Sequence, residues 1–433
     1  MVVPVDLAEL HLWGRRVGGV AWDRNRELGS FQFDPKFLAE GLDVAPLMMP
    51  AAQSREAVYE FPALSRQTFH GLPGMLADCL PDKYGHRLVD AWLARQGRRP
   101  ESFSPVERLC YTGTRGMGAL EFHPPQRQGL NQSVAVEVSA LVELARDVLD
   151  HRGTLRADLS EEHRALRDIL RVGTSAGGAR AKAILAIHEK TGKVRSGQVQ
   201  APQGYGYWLL KFDGVTDELL GAPKGYGRIE YAYHRMAIAC GITMMECRLH
   251  EEGGRAHFLT RRFDRTVNGD KLHLQSLTGL AHFDFNLPGA YAYEQAFQVM
   301  RRLRLPYPEA EQQFRRMVFN VVTRNQDDHP KNIGFLMGPD GKWRLSPAYD
   351  VTYAHNPAGA WTNQHQMTVN GKRDGFTRED LSKVARAMSI QHADQILDEV
   401  RTAVSLWPKF AAEAGVSEEH VDEVRREHRM MDI

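Results

Sequence analysis

Cysteine is scarce in this chain: there are four in 433 residues, at Cys79, Cys110, Cys240 and Cys247. They form no C-x-x-C pair, and no histidine stands near them at zinc spacing. A structural zinc module and a disulfide scaffold are both excluded. Free thiols in a reducing cytoplasm are the expected state. Long apolar runs are missing too. The N-terminal stretch to Trp13 already carries Asp6 and Glu9, so neither a signal peptide nor a membrane span is expected there. No sign of charge dominates, with 55 basic and 54 acidic side chains and a net charge of +1. Global electrostatics therefore do not mark a nucleic-acid binder. There is no internal repeat, coiled coil or low-complexity tract. The phosphate-binding patterns G-x-G-x-x-G and G-x-x-x-x-G-K-[ST] are absent as well.

What is present is an ordinary globular composition, 42% hydrophobic and 25% charged, in a chain long enough for two or three domains. Leu10/Leu12, Val20/Trp22 and Phe31/Phe33 alternate with polar residues and predict short half-buried strands. Leu88, Ala91, Trp92 and Arg95 share a helical face that Gly97 ends. His123-Pro124-Pro125 closes this first unit. An amphipathic helix follows, with Val138, Leu141, Ala145, Val148 and Leu149 on its apolar face. Ser160 can cap a second helix carrying Leu166, Ile169 and Leu170. The small-residue loop 173–182 then runs into the strand 183–187. A second strand, 207–212, holds Lys211, and a helix over 229–240 carries Glu230. Phe258 to Arg265 reads as a strand running into a loop. The rest reads as helical, over 293–303, 309–322, 378–387 and 393–412. The expected class is α+β, divided at 1–125, 126–265 and 266–433.

The chemistry concentrates in Asn325-Gln326-Asp327-Asp328-His329-Pro330-Lys331-Asn332. Phosphoryl transfer needs a carboxylate to orient a hydroxyl and accept its proton, with an oxygen ligand for a metal nearby. Kinase catalytic loops place that Asn five residues after the Asp. Asp327 and Asn332 satisfy this spacing, and Asp328 falls one short. A second metal-binding Asp should follow a short hairpin. Residues 333–337 and 343–345 are its strands, Asp340-Gly341 its turn, and Asp350 comes next. As an isolated pattern this is equally a polar surface loop. Its company argues otherwise: upstream come the loop Ser175 to Ala179, small enough for backbone N–H groups to approach phosphates, and Lys211 near the end of an apolar strand. Lys211 must either find an acceptor or snorkel. In a kinase it meets phosphates and a helix carboxylate, for which Glu230 is the candidate. Asn332 and Asp350 carry oxygen ligands suited to magnesium.

Taken with Ser175-Ala176-Gly177-Gly178-Ala179-Arg180-Ala181-Lys182, Leu210-Lys211-Phe212, Arg262-Phe263-Asp264-Arg265, Tyr349-Asp350-Val351-Thr352 and Leu80-Pro81-Asp82-Lys83-Tyr84-Gly85, the sequence resembles the HipA family. These are bacterial serine/threonine kinases that form the toxin half of type II toxin–antitoxin modules. The resemblance spans most of the chain. It implies a bilobed kinase-like fold with an added N-terminal α/β subdomain and a helical C-terminal lobe, using ATP and Mg2+. It places the catalytic base on Asp327 and metal ligation on Asn332 and Asp350. Nucleotide contacts fall on Gly177, Gly178, Ala179, Arg180, Ala181, Lys182 and Lys211, on the hinge backbone at Arg261, Arg262 and Phe263, and on His329, Lys331 and Tyr349. Ser175 matches the family's autophosphorylated serine. Implied partners are a HipB-like helix-turn-helix antitoxin, operator DNA mainly through that antitoxin, and a protein substrate such as an aminoacyl-tRNA synthetase. Where the family loop often carries Gln-Glu, this chain has Arg180-Ala181, so the resemblance carries over backbone contacts there and not those of the family's side chains.

Two other readings compete. A small-molecule phosphotransferase of the aminoglycoside-kinase type shares the Asp-x4-Asn loop but should carry an acidic substrate pocket. The C-terminal part has only mixed charges such as Arg373, Asp374, Arg378 and Glu379. A non-catalytic scaffold or co-repressor would tolerate loss of Lys211, Asp327, Asn332 or Asp350, and all four are present.

Overall fold

The computed structural model describes residues 4–95, 97–125, 132–150, 173, 180–215 and 225–430. The chain is α+β, as expected. In sequence it reads as three parts, whereas in space it forms two compact units: Met1–Lys224 with His250–Leu274 and Gly338–Gly341, and Gly225–Leu249 with Gln275–Met337 and Lys342–Ile433.

The first unit holds two antiparallel sheets. One has the order β4-β3-β2-β1-β5, from β1 (Leu7–Leu12), β2 (Arg15–Asp23), β3 (Leu28–Phe33), β4 (Val58–Tyr59) and β5 (Leu120–His123). The alternation read from sequence is real: Leu10, Leu12, Val20, Phe31 and Phe33 are all buried. The other has the order β7-β6-β8-β10-β9, from β6 (Lys182–His188), β7 (Val194–Ser196), β8 (Tyr205–Lys211), β9 (Cys247–Glu252), whose last three residues lie in this unit, and β10 (Arg255–Arg261). Helix α1 (Lys83–Arg95) stops before Gly97, which takes the left-handed φ of 69° that a side chain would resist. Helix α2 (Pro105–Thr112) starts with a capping box between Ser104 and Glu107. Helix α3 is Val138–Asp150.

One apolar core explains why this unit is undivided. Leu88, Val89 and Trp92 of α1, Leu141 and Val142 of α3, and Leu185, Trp208 and Leu210 of the second sheet bury against one another. Each side chain of this size contributes about 1.5–3 kcal/mol on leaving water. The segment around Pro125 is thus a boundary in composition, with continuous packing across it. The helix expected from Ser160 lies outside the described residues.

The second unit is mainly helical: α4 (Tyr226–Ala239), α5 (Tyr293–Arg302), α6 (Tyr307–Thr323), α7 (Arg378–Met388), α8 (Ala393–Ser405), α9 (Trp407–Glu413) and α10 (Glu418–Glu427). Its small sheet has the order β11-β12-β13, from β11 (His273–Ser276), whose last two residues lie in this unit, β12 (Gly334–Met337) and β13 (Trp343–Leu345). The single helix expected over 393–412 is two. Pro408 sits in the first turn of α9, where its missing N–H costs nothing, and it cannot extend α8. Among the described residues no helix is long and apolar enough to cross a membrane.

Candidate active site

Helix α6 delivers the chain to the loop. Phe314, Val318, Phe319, Val321 and Val322 are fully buried along it, so its last turn is fixed in the core of the second unit. Arg324 ends it in a left-handed conformation, φ 57°, and its N–H bonds back to Asn320. The next residues leave the helix axis at once, and Pro330–Asn332 form a single 3-10 turn before β12.

Within this loop Asn332 Nδ2 donates to the carbonyl of Asp327 at 2.8 Å. That bond closes the five-residue spacing into a ring and leaves Asn332 Oδ1 as the atom suited to a hard cation. Asp327 is half-buried. Its Oδ1 accepts from the indole N–H of Trp361 at 2.6 Å and lies 3.7 Å from His329 Nε2. Burial pushes its carboxyl above the usual range, and nearby Asp350 pushes it further, while His329 and Trp361 pull it down. Asn332 and Asp350 both carry side-chain oxygens of the kind magnesium takes, so these residues fit that ion. Asp350 itself holds φ at 56°, a conformation rare outside glycine.

Asp328 is the opposite case. Burial pushes it up, but His365, Tyr293 and the N–H of Gln366 outweigh that and hold it below the usual carboxylate range. Tyr293 Oη and His365 Nδ1 each donate to Oδ2 at 2.8 Å, and Gln366 N donates to Oδ1 at 2.8 Å. Both oxygens are occupied, so Asp328 is a structural anchor, in keeping with its failure to match the spacing.

The rest of the loop is packed tightly. Lys331 Nζ lies 5.3 Å from the centre of the Phe285 ring, and Tyr349 Oη donates to the carbonyl of Lys331 at 2.7 Å. A side chain at Gly334 would come within 2.9 Å of Ser346 Oγ and 3.1 Å of the Tyr349 ring, so these neighbours would have to shift. The His329 ring is 5.5 Å from that of Phe285. Glu230 is buried on α4.

The first unit carries the lysines. Lys182 and Lys211 are register partners on β6 and β8, and so lie on one face of the sheet. Lys182 is buried and ion-paired to Asp82 at 2.8 Å. Lys211 Nζ is 5.8 Å from the centre of the Phe258 ring. Arg261 pairs with Glu189 at 3.2 Å. Arg262 donates its backbone N–H to Tyr207 at 2.9 Å, and its guanidinium takes both oxygens of Asp264 at 2.9 and 2.7 Å. Phe263 is half-buried, as is Arg180, and Ala181 is buried. Thr174, Ser175, Gly177, Gly178 and Ala179 lie outside the described residues. Sequence reasoning missed Asp82 and Trp361, which touch the predicted Lys182 and Asp327, and His365, which touches Asp328, all distant in the chain from what they touch.

Residues 8–123 match the family model described as HipA N-terminal domain, and residues 174–407 match HipA-like C-terminal domain. This chain belongs to the HipA family. Among solved structures it is similar to HipA of the Shewanella oneidensis MR-1 toxin–antitoxin system, described in complex with HipB and its operator DNA. The identity is 14%, covering 97% of this chain and 95% of that one, with a TM-score of 0.67. The proinflammatory kinase CtkA of Helicobacter pylori is matched at 12% identity over 52% of this chain and 88% of its own, with a TM-score of 0.31. No curated protein matches.

Proposed function

We propose that the chain is an ATP- and magnesium-dependent serine/threonine protein kinase acting as a HipA-type toxin. What carries the reading is the second unit's loop. Asn332 is tied back to Asp327 at 2.8 Å, and Asn332 and Asp350 line one cavity. In the proposed reaction Asp327 orients an acceptor hydroxyl and takes its proton. The hydroxyl oxygen bonds to the terminal phosphorus of ATP, the bond from that phosphorus to the bridging oxygen breaks, and ADP leaves. Asn332 and Asp350 would hold magnesium, which when bound supplies positive charge at the transferring group. Lys182 and Lys211 are the proposed phosphate contacts of the first unit, and the backbone of Arg261 to Phe263 the proposed adenine contact.

Family membership, and the HipB and operator DNA in the Shewanella complex, support a HipB-like antitoxin as partner, with DNA reached through it. The protein substrate is proposed to be a translation component such as an aminoacyl-tRNA synthetase. Ser175 is proposed as the autophosphorylation site. A phosphate there adds about −1.5 to −2 charge at neutral pH and would compete with the nucleotide for the lysines, switching the enzyme off.

The test is incubation with γ-labelled ATP and magnesium, followed by mass spectrometry. Label should appear in protein and on Ser175 in the wild type, and nowhere in Asp327→Asn. Label carried only by a small-molecule acceptor such as an aminoglycoside would replace the protein-kinase reading.

A further inference from the structure

The stretch from Trp361 to Gln366 holds both carboxylates of the Asp327-Asp328 pair. Its far end is the anchor: His365 Nδ1 and the Gln366 N–H occupy the two oxygens of Asp328. Arg429 secures His365 from behind, with its guanidinium 3.0 Å from His365 Nε2 and donating to the carbonyl of Val321 at 2.8 Å. Gln366 Nε2 turns back to donate to the carbonyl of Trp361, so the stretch is braced against itself. Its near end is Trp361, half-buried, whose indole N–H points at Asp327 Oδ1 from 2.6 Å. Among the described residues, Asp327 Oδ2 takes no hydrogen bond.

A carboxylate turns easily about its last side-chain bond, because that torsion is broad and roughly two-fold. A charge-assisted donor on one oxygen removes this freedom and fixes where the other oxygen lies. We infer that Trp361 is a positioning residue for the transfer reaction: its indole N–H holds Asp327 Oδ1 and thereby presents Oδ2 to the acceptor hydroxyl. The inference rests on the kinase reading of the loop. It adds that the donor comes from a separate segment, steadied through His365 and Arg429. Orientation of a reacting group is a rate term, so the effect belongs in turnover more than in nucleotide affinity.

Trp361→Phe keeps an aromatic ring and deletes the donor. A lost bond to a charged group predicts a fall in kcat of about tenfold or more, with ATP affinity by calorimetry unchanged. A folded Trp361→Phe protein with wild-type kcat would overturn the inference. So would equal loss in kcat and ATP affinity, since that marks general damage to the site. A second readout needs no activity. The seven tryptophans give separate indole N–H resonances in a proton–nitrogen spectrum, and Trp361 is assigned by its loss in Trp361→Phe. In Asp327→Ala its proton should move upfield while the other six stay in place; an unmoved resonance refutes the contact. If the wild type transfers no phosphate to any acceptor, the kinase reading falls. The indole resonance still decides whether Trp361 holds Asp327.

Discussion

Two loops in this protein handle a carboxylate in opposite ways. In the first unit Asp264 sits between Arg262 and Arg265. Both guanidinium groups bond to it, at 2.7 and 2.8 Å, and the N–H of Gly118 adds a third donor at 2.6 Å. Burial pushes its carboxyl up, but the two arginines outweigh this and hold it well below the usual range. In the second unit Asp327 has an indole and a more distant histidine on one oxygen, a rival carboxylate nearby, and a carboxyl pushed above its ordinary range. A carboxylate that only supports the fold is saturated with donors. Asp327 is left short of them. Asp328, next in sequence to Asp327 and fully bonded, belongs with Asp264.

This contrast can be broken by experiment. The largest effect is expected from Asp350→Ala. Loss of a charged ligand should cut phosphoryl transfer by about a thousandfold or more, the scale of removing one group that stabilises developing charge. Magnesium-dependent ATP binding should weaken with it. Equal ATP affinity in mutant and wild type at saturating magnesium, by calorimetry, would remove Asp350 from the metal site. Next is Asp264→Ala, which leaves two buried arginines without their counter-charge. A cost of about 3–5 kcal/mol is expected, read as a lower denaturant midpoint. A change within error would mean that Asp264 is not the saturated case described.

The smallest effect concerns sign. The folded pKa of Asp264 is lowered, so its contribution is complete above the unfolded value of about 4 and is lost as pH falls through the folded value. The folded pKa of Asp327 is raised, so the folded state favours the protonated form. Ionising it costs stability as pH rises from about 4 through the folded value. Asp327→Asn, measured without magnesium, should therefore be slightly more stable than wild type at neutral pH and equal to it in acid. A variant less stable than wild type at neutral pH would contradict the raised pKa. Partial exposure of Asp327 keeps the effect small.

The loop from Asn325 to Asn332 was legible in sequence because its logic is local. The bond from Asn332 to Asp327 spans five positions, and the hairpin before Asp350 announces itself through Asp340-Gly341. Core strands were legible through alternation, as at Leu10 and Leu12. The second half of each site was not. Trp361 lies 34 positions from Asp327, and His365 lies 37 from Asp328; nothing in local pattern or propensity links them. The same holds for Asp82, which bonds the Gly85 N–H at 2.6 Å and also neutralises Lys182. The break between α8 and α9 was available in Pro408 and was overridden by the apolar periodicity around it.

The Lys182–Asp82 ion pair has a consequence for how the gene can be cut. Asp82 lies in the segment matched by the N-terminal family model, and Lys182 in the segment matched by the C-terminal one. Asp264, on the C-terminal side, likewise takes its third donor from Gly118 on the N-terminal side. Excising the C-terminal segment would strand a buried ammonium and shorten the supply of donors to a buried carboxylate, besides exposing the apolar face that α1 covers. The two segments are distinct as patterns of inheritance but electrostatically one piece. A shortened version meant to retain activity has to carry both, or replace the charge it leaves behind.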